Sequence, residues 1–443
     1  MIMNRFFKLQ FFFIAIFLFV SKASIAQTFM GSTVDNHAGV HSLLLNPALA
    51  VDSKMRLDIN LFSTSAYIGN DFLSVDLNDL GGFRNGLEIN SDDNKNSTNN
   101  NNFIGNVDIL GPSVLFNLDQ KNSLAFTTRV RGFFNLTNIG GDLYELANTE
   151  YNDQTDFSVN MEDASGLIHA WAEFGATYGR MILDDERNSL KGGVTLKYLA
   201  GAGGVYGGSK ILNAQYNNQS DLLTTSGELS YGYTSGFDSD EISFSDIKSG
   251  FGADIGFVYE FKEEDVNVYY NPYKFRLGVS VMDIGSINYD GSSRFIYNMN
   301  ATIDANEFES KDLDELLEDN YNGVEILGKT KFGLPTSLQF FGDYNLNGKF
   351  FVSAQGALAL KRSSENPVSQ LINSFTLTPR FEKRWISVYS PISIRQYDSS
   401  VSWGVGVRAG PVMIGSGSIL TNLISSQSKS ADVYLGLKVP LYK

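Results

Sequence analysis

The chain is 443 residues long, carries a formal net charge of −15, and combines 33 Phe, 21 Tyr and 42 Gly with only 9 Pro and no Cys. The missing cysteines exclude disulfides and thiolate metal sites, and the acidic balance argues against nucleic acid as a partner. Aromatic, glycine-rich, proline-poor composition suits many strands with interfacial ring anchors.

In chain order, residues 1–26 have the pattern of a secretory signal: Arg5 and Lys8, an apolar run from Leu9 to Val20, then Ser24-Ile25-Ala26 as a small-residue cleavage site. Its removal takes away Arg5, Lys8 and Lys22 and moves the charge from −15 to −18 (−15 minus 3). No later stretch is long and apolar enough for a membrane-spanning helix. Residues 27–54 lack strand alternation; a small helix over His37–Leu45 is expected to stop at Asn46-Pro47.

From Met55 onward, apolar and polar residues alternate with period two, the spacing of a strand with one greasy face. Fourteen such strands are predicted, near 55–66, 106–118, 122–134, 167–182, 189–201, 250–262, 273–284, 335–345, 349–361, 373–384, 385–396, 400–409, 411–419 and 431–442. In the last, Val433, Leu435, Leu437, Val439 and Leu441 share one face, and Lys438 lies on the other. Short turns on one side alternate with longer connections on the other, of which 67–105, 135–166, 202–249 and 285–334 stand out. That asymmetry predicts an all-β, antiparallel transmembrane barrel with both termini on the short-turn side. Segments 205–217, 224–234 and 293–303 also alternate; they give sixteen strands if two cross the membrane, and otherwise hairpins above the barrel, the reading adopted. Asn90–Asn102 is a polar low-complexity tract, and Asp304–Asn320 an acidic loop helix with Asp304 and Glu307 as a capping box.

Leu45-Asn46-Pro47-Ala48-Leu49, placed just before the first strand, resembles the Asn-Pro-Ala element of FadL-type outer-membrane barrels, a group that includes hydrophobic-compound transporters and PorV-like secretion proteins. The resemblance implies a fourteen-stranded barrel in the bacterial outer membrane, with residues 27–54 folded into the lumen as a hatch that includes Asn46, Pro47 and Ala48. A closer likeness is to an uncharacterised Bacteroidota barrel family of unknown function, through Leu45–Leu49, Gly192–Gly201, Gly333–Leu338 and Ala431–Lys438. Outer-membrane lipid and the barrel assembly machinery are the partners it implies, and it brings no substrate. Tyr442 is followed by Lys443, a departure from the usual aromatic end.

The inward face carries Arg129, Arg131, Glu173, Lys191, Lys197, Asp254, Glu260, Arg276, Asp343, Arg380, Glu382, Arg395, Arg408 and Lys438. Because both signs are interspersed, mutual pairing is expected before a one-sign selectivity ring. Only His37, His41 and His169 are available for metal or acid–base work. His37 and His41 share a helical face near Asp35 but need a third ligand, and His169 with Glu173 lacks a G-x-S-x-G nucleophile. No enzyme, cofactor or metal is therefore expected. Two functions remain: a channel that passes a small hydrophobic solute past the hatch, and a non-transporting scaffold for a secretion-system or surface partner.

Overall fold

The computed structural model describes residues 29–52, 54–74, 95–148, 155–235, 247–263, 273–311, 313–361, 367–398, 401–425 and 428–442. The expected signal, residues 1–26, lies outside them, as do most of 67–94 and Lys443. Fourteen staves run in chain order around one closed wall. They are β1 (Met55–Asn70), β2 (Asn101–Leu110 and Ser113–Asn117), β3 (Asn122–Ile139), β4 (Phe157–Asp184) and β5 (Asn188–Asn217). Next come β6 (Leu222–Tyr233 and Lys248–Lys262), β7 (Tyr273–Asn298), β8 (Asn322–Gly333 and Ser337–Asn345), β9 (Phe350–Ala359) and β10 (Ser374–Glu382). The ring ends with β11 (Ile386–Tyr389 and Ile392–Arg395), β12 (Val401–Trp403 and Val405–Ala409), β13 (Val412–Ser416) and β14 (Ser430–Tyr442). Every pair is antiparallel, and β14 closes on β1 from Met55↔Tyr442 to Gly69↔Ser430. Closure leaves the wall without a free edge in hydrocarbon, as a β-structure in a membrane requires.

The outward face is apolar and exposed, with Leu277 and Val279 on β7 and Leu435 and Leu437 on β14 as examples. Rings gather at both margins of this band: Tyr198 and Phe251 at one, Tyr344, Phe350 and Trp385 beside the short turns at the other. The inward face is polar and buried, so the period-two pattern separates lipid from lumen.

Four expectations change. Residues 205–217 and 293–298 are not separate hairpins but the upper ends of β5 and β7, and 224–233 lies above 248–262 in a single stave. Sixteen membrane strands are thereby excluded. The connection expected over 285–334 is mostly strand, because β7 continues to Asn298 and the outer half of β8 pairs along it from Asn322 to Gly333. The polar tract likewise ends early, with β2 beginning at Asn101. Helix α1 (Gly141–Asn148) follows β3, and above the membrane β4–β8 form a tall sheet packed on Leu316 and Leu317 of helix α2 (Leu313–Asn320) and on Tyr321 just after it. The Asp304 side chain accepts from Asn306 N, not from a capping-box partner.

Val279→Arg puts a cation on the lipid-facing side near the middle of the band. It should destabilise the inserted barrel by about 2–4 kcal/mol, measured by urea unfolding in vesicles. A change below about 0.5 kcal/mol, the range of ordinary surface substitutions, would place Val279 in water instead.

Candidate functional site

Residues 29–52 cross the inside of the barrel. The expected helix is a 3-10 turn over Gly39–Leu44, and a second covers Pro47–Asp52 after the break at Asn46. Asn46 explains the break: its Nδ2 donates to Phe257 O (3.1 Å) and Val279 O (3.0 Å), and its Oδ1 accepts from Ala48 N (2.9 Å). Pro47 has no N–H to satisfy, and Ala48 is fully buried. The wall makes room with a row of glycines on adjacent staves, Gly179↔Gly193↔Gly256. A Cβ on Gly193 would lie 2.3 Å from the Pro47 carbonyl carbon and 2.4 Å from Ala48 N, and one on Gly256 would lie 2.2 Å from Asn46 Oδ1. Next to Gly256, Ser280 donates to Leu45 O (2.7 Å).

The charged residues of the inward face pair with each other and with this segment. Arg408 Nε lies 3.1 Å from Asp35, which also accepts from Tyr389. Lys438 Nζ donates to His37 O (2.6 Å) and Ala38 O (2.8 Å) and reaches Asp58 at 3.4 Å. Arg276 donates to Val34 O (2.8 Å) and pairs with Asp343, which Arg380 holds at 2.7 Å; Arg380 also binds Glu382. Arg395 pairs with Asp432 at 2.8 Å. Above the segment lies a second cluster: Arg131 reaches Glu173 (3.1 Å) and Asp283 (2.8 Å), while Lys197 reaches Asp254 (2.9 Å) and Asp283 (2.5 Å). Arg129 binds Asp108, and Lys191 pairs with Glu260 at 2.7 Å. The expected interspersed pairing is what the bore contains. Asp283, Asp108 and Asp35 were absent from the inward set: Asp283 lies beside a β-bulge and Asp35 in the irregular segment, whereas Asp108 alternates regularly on β2 and was passed over.

Next outward is an apolar layer with Phe133, Trp171, Leu199, Ile287, Tyr289 and Phe332. A connection that sequence reasoning missed folds into it. Gly333 N donates to Pro367 O (2.9 Å), and Ser369 N to Gly333 O (3.1 Å). Gln370 N and O bond to the Asn135 amide at 2.9 and 3.0 Å. Ile372 packs on Tyr67 and Ile104. Thus the bore is occupied at the levels of residues 29–52, the ion cluster and residues 367–373.

The histidines do other work. Ligand atoms of Asp35, His37 and Glu382 lie within 4.8 Å of one another, but each carboxylate already holds a guanidinium. His41 points elsewhere, with Nε2 2.9 Å from Ser63 Oγ. His169 is buried between Ser369 Oγ (3.0 Å) and Tyr289 OH (3.1 Å), while Glu173 is bound by Arg131 and Trp171. No His–acid pair is formed there.

A cavity of about 1030 Å³ opens on the outward, apolar side of the wall. Ala66, Gly105 and Gly132 make its floor; Phe134 and Ile168 flank one side, Val405, Ile414 and Ile419 the other. At its end the wall changes construction. β13 stops at Ser416, and helix α3 (Ile419–Ile424) fills the place of a strand between β12 and β14. It is tied by Trp403 N to Thr421 Oγ1 (2.6 Å), Gly417 N to Asp432 Oδ2 (2.6 Å) and Asp432 N to Ser418 Oγ (3.1 Å). By contrast, the void beside Asp35, Asn36 and Arg276 holds only about 10 Å³.

A closed fourteen-stave wall, a filled bore and an apolar outward band define an outer-membrane-type β-barrel. Residues 47–417 match the model of the "Family of unknown function (DUF5723)", and the chain belongs to that family. No curated protein matches it. Among solved structures it is similar to the toluene transporter TbuX of Ralstonia pickettii (10% identity, 95% of this chain and 96% of that one, TM-score 0.41). It is also similar to a Pseudomonas aeruginosa FadL homologue (10%, 94% and 98%, 0.43) and to the Pseudomonas putida toluene transporter TodX (10%, 94% and 93%, 0.41).

Asp283→Asn leaves Arg131 and Lys197 short of a shared counter-charge and should destabilise the barrel by about 3–5 kcal/mol, read as a lower urea midpoint. Burial, with the Lys438 ammonium nearby, pushes the His41 imidazole down from 6.5 to about 3. A released segment regains the ordinary value and takes up the proton more readily. His41 therefore favours the seated segment fully above about pH 6.5, and this contribution fades as pH falls toward about 3. Asp35 acts lower: burial would raise its carboxyl, but Arg408 and His37 hold it well below the usual carboxylate value. Hydrogen exchange of amides 38–46 should accelerate, beyond the intrinsic rate change, between about pH 7.5 and about pH 5. Unchanged protection would mean that His41 is not buried in the neutral form.

Proposed function

We propose that this protein carries a small hydrophobic solute across the outer membrane, with residues 29–52 as a hatch and the wall cavity as the place where the solute meets the barrel. The cavity carries this reading. It is concave and its exposed lining is almost entirely apolar, and it abuts a stretch of wall closed by a helical turn instead of a strand. Apolar pockets of this volume suit apolar ligands. Ser416, Asn422 and Asp432 are among its lining residues. Passage requires the hatch to leave its glycine shelf and α3 to release its three ties. The occupied bore favours a second reading, a barrel that serves as a scaffold without transporting.

Two variants separate them. Gly193→Val would thrust carbon into the Pro47–Ala48 backbone without touching the outward face, and should raise entry of N-phenylnaphthylamine into vesicles holding the full chain. Gly132→Trp points into open space on the cavity floor, where no atom lies within 4 Å of an added Cβ, and should lower it. Entry unaffected by both substitutions would reject transport by this route and leave the scaffold.

A further inference from the structure

We infer that the hairpin joining β10 to β11 binds the phosphate of an anionic glycerophospholipid in the leaflet on the short-turn side. Lys383 N donates to Ile386 O (2.7 Å), which sets Arg384 and Trp385 at the tip of a tight turn. The preceding turn adjoins it through Glu382 N to Lys349 O (2.8 Å), and the following one, Gly410-Pro411, through Gly410 N to Trp385 O (2.7 Å). Lys349, Lys383 and Arg384 are exposed, and no ion pair joins any of them to a carboxylate among the described residues. Glu382, beside them, is buried and held by Arg380 and Asn36. Arg408 donates to the Lys383 and Arg384 carbonyls from inside the bore and is matched by Asp35. From β2 to β7 the rim is different. Lys262 pairs there with Asp184 and Lys274 with Glu263 (3.1 Å), while Lys121 and Arg187 share their turns with Asp119 and Asp185. In a chain of net charge −15, the flank around Lys383 is thus basic and uncompensated.

Depth and shape select a lipid as the occupant. Lys383 Nζ lies 5.5 Å from the centroid of the Phe381 ring, which meets Phe350 at 5.1 Å. The Arg384 guanidinium sits over Tyr442 (4.6 Å), whose hydroxyl donates to Arg384 O (2.6 Å). Trp385, 60% exposed, meets the same Tyr442 ring edge-on at 5.6 Å. Such rings mark the depth of lipid headgroups, where Lys and Arg attract anionic lipid. Ammonium and guanidinium groups both form charge-assisted hydrogen bonds to phosphate oxygens. Farther into the bilayer, Ile386 and Val388 continue the exposed apolar face. A phosphate held by Lys383 and Arg384 would therefore lay its acyl chains along Phe381, Ile386 and Val388. A soluble acidic peptide would meet the cations and leave that apolar surface uncovered. The inference is independent of the transport reading.

The test uses the full chain in phosphatidylcholine vesicles that hold a minor fraction of a brominated lipid, since bromine quenches a neighbouring indole. Of the three tryptophans, Trp171 is buried in the bore, and Trp403→Phe removes the second lipid-facing ring, so Trp385 reports. Brominated phosphatidylglycerol should be enriched at Trp385 at least about fivefold over brominated phosphatidylcholine at the same fraction. Lys383→Gln with Arg384→Gln should abolish that preference, and Lys383→Arg with Arg384→Lys, which keeps both charges, should retain it. Lys121→Gln with Arg187→Gln, on the mixed flank, should leave it intact. Equal quenching by the two tracers, or a preference that survives the loss of both Lys383 and Arg384, would overturn the inference. So would equal loss in the two Gln pairs, which means attraction to the whole rim, or full reversal by soluble glycerol phosphate, which means a site for a free anion.

Discussion

The irregular backbone of residues 29–52 carries donors and acceptors that no strand ladder can satisfy, and the staves around it must supply partners from inside the bore. They do so with charge. Lys438 donates to two successive carbonyls, Arg276 to Val34, Ser280 to Leu45, and Asp58 accepts from Val40 N (2.9 Å). An unpaired ion in such a setting is expensive, so each cation also meets a carboxylate. The polarity of the inward face and the segment's route across the bore both follow from that requirement.

Much of the fold was legible because lipid on one side and a polar bore on the other impose opposite demands on successive residues. All fourteen staves carry that imprint over their membrane portion. It fails where the two sides become alike. Glu325, Ile326, Leu327 and Lys329 are all exposed, so no alternation marks the outer half of β8 as a strand. The inward fold of Pro367–Asn373 was hidden for a different reason: its partners Asn135, His169 and Gly333 are distant in sequence, and no local period records them. Asn46-Pro47 was recognisable as a break, whereas its glycine shelf depends on strand register. Gly193 stood within a quoted motif, but only the alignment of Gly179, Gly193 and Gly256 on neighbouring staves gives it a purpose.

The wall is lopsided. β4 and β5 run for 28 and 30 residues, while β13 has 5. The tall side rises above the bilayer into a sheet with its own apolar core, and the low side hands its closure to α3.

Seating of the first segment also fixes an order of events in the barrel's birth. Residues 29–52 touch staves from β1 to β14, yet they precede β1 in the chain, and the wall that surrounds them is sealed by the β1–β14 seam. A completed cylinder would have to admit this length of chain through a rim while stripping water from Asp35, His41 and Asn46. Capture before the seam zips avoids that barrier. The emerging sheet would curl around its own leading end, using it as a mandrel, so that an ill-fitting leader would be felt first as slow maturation.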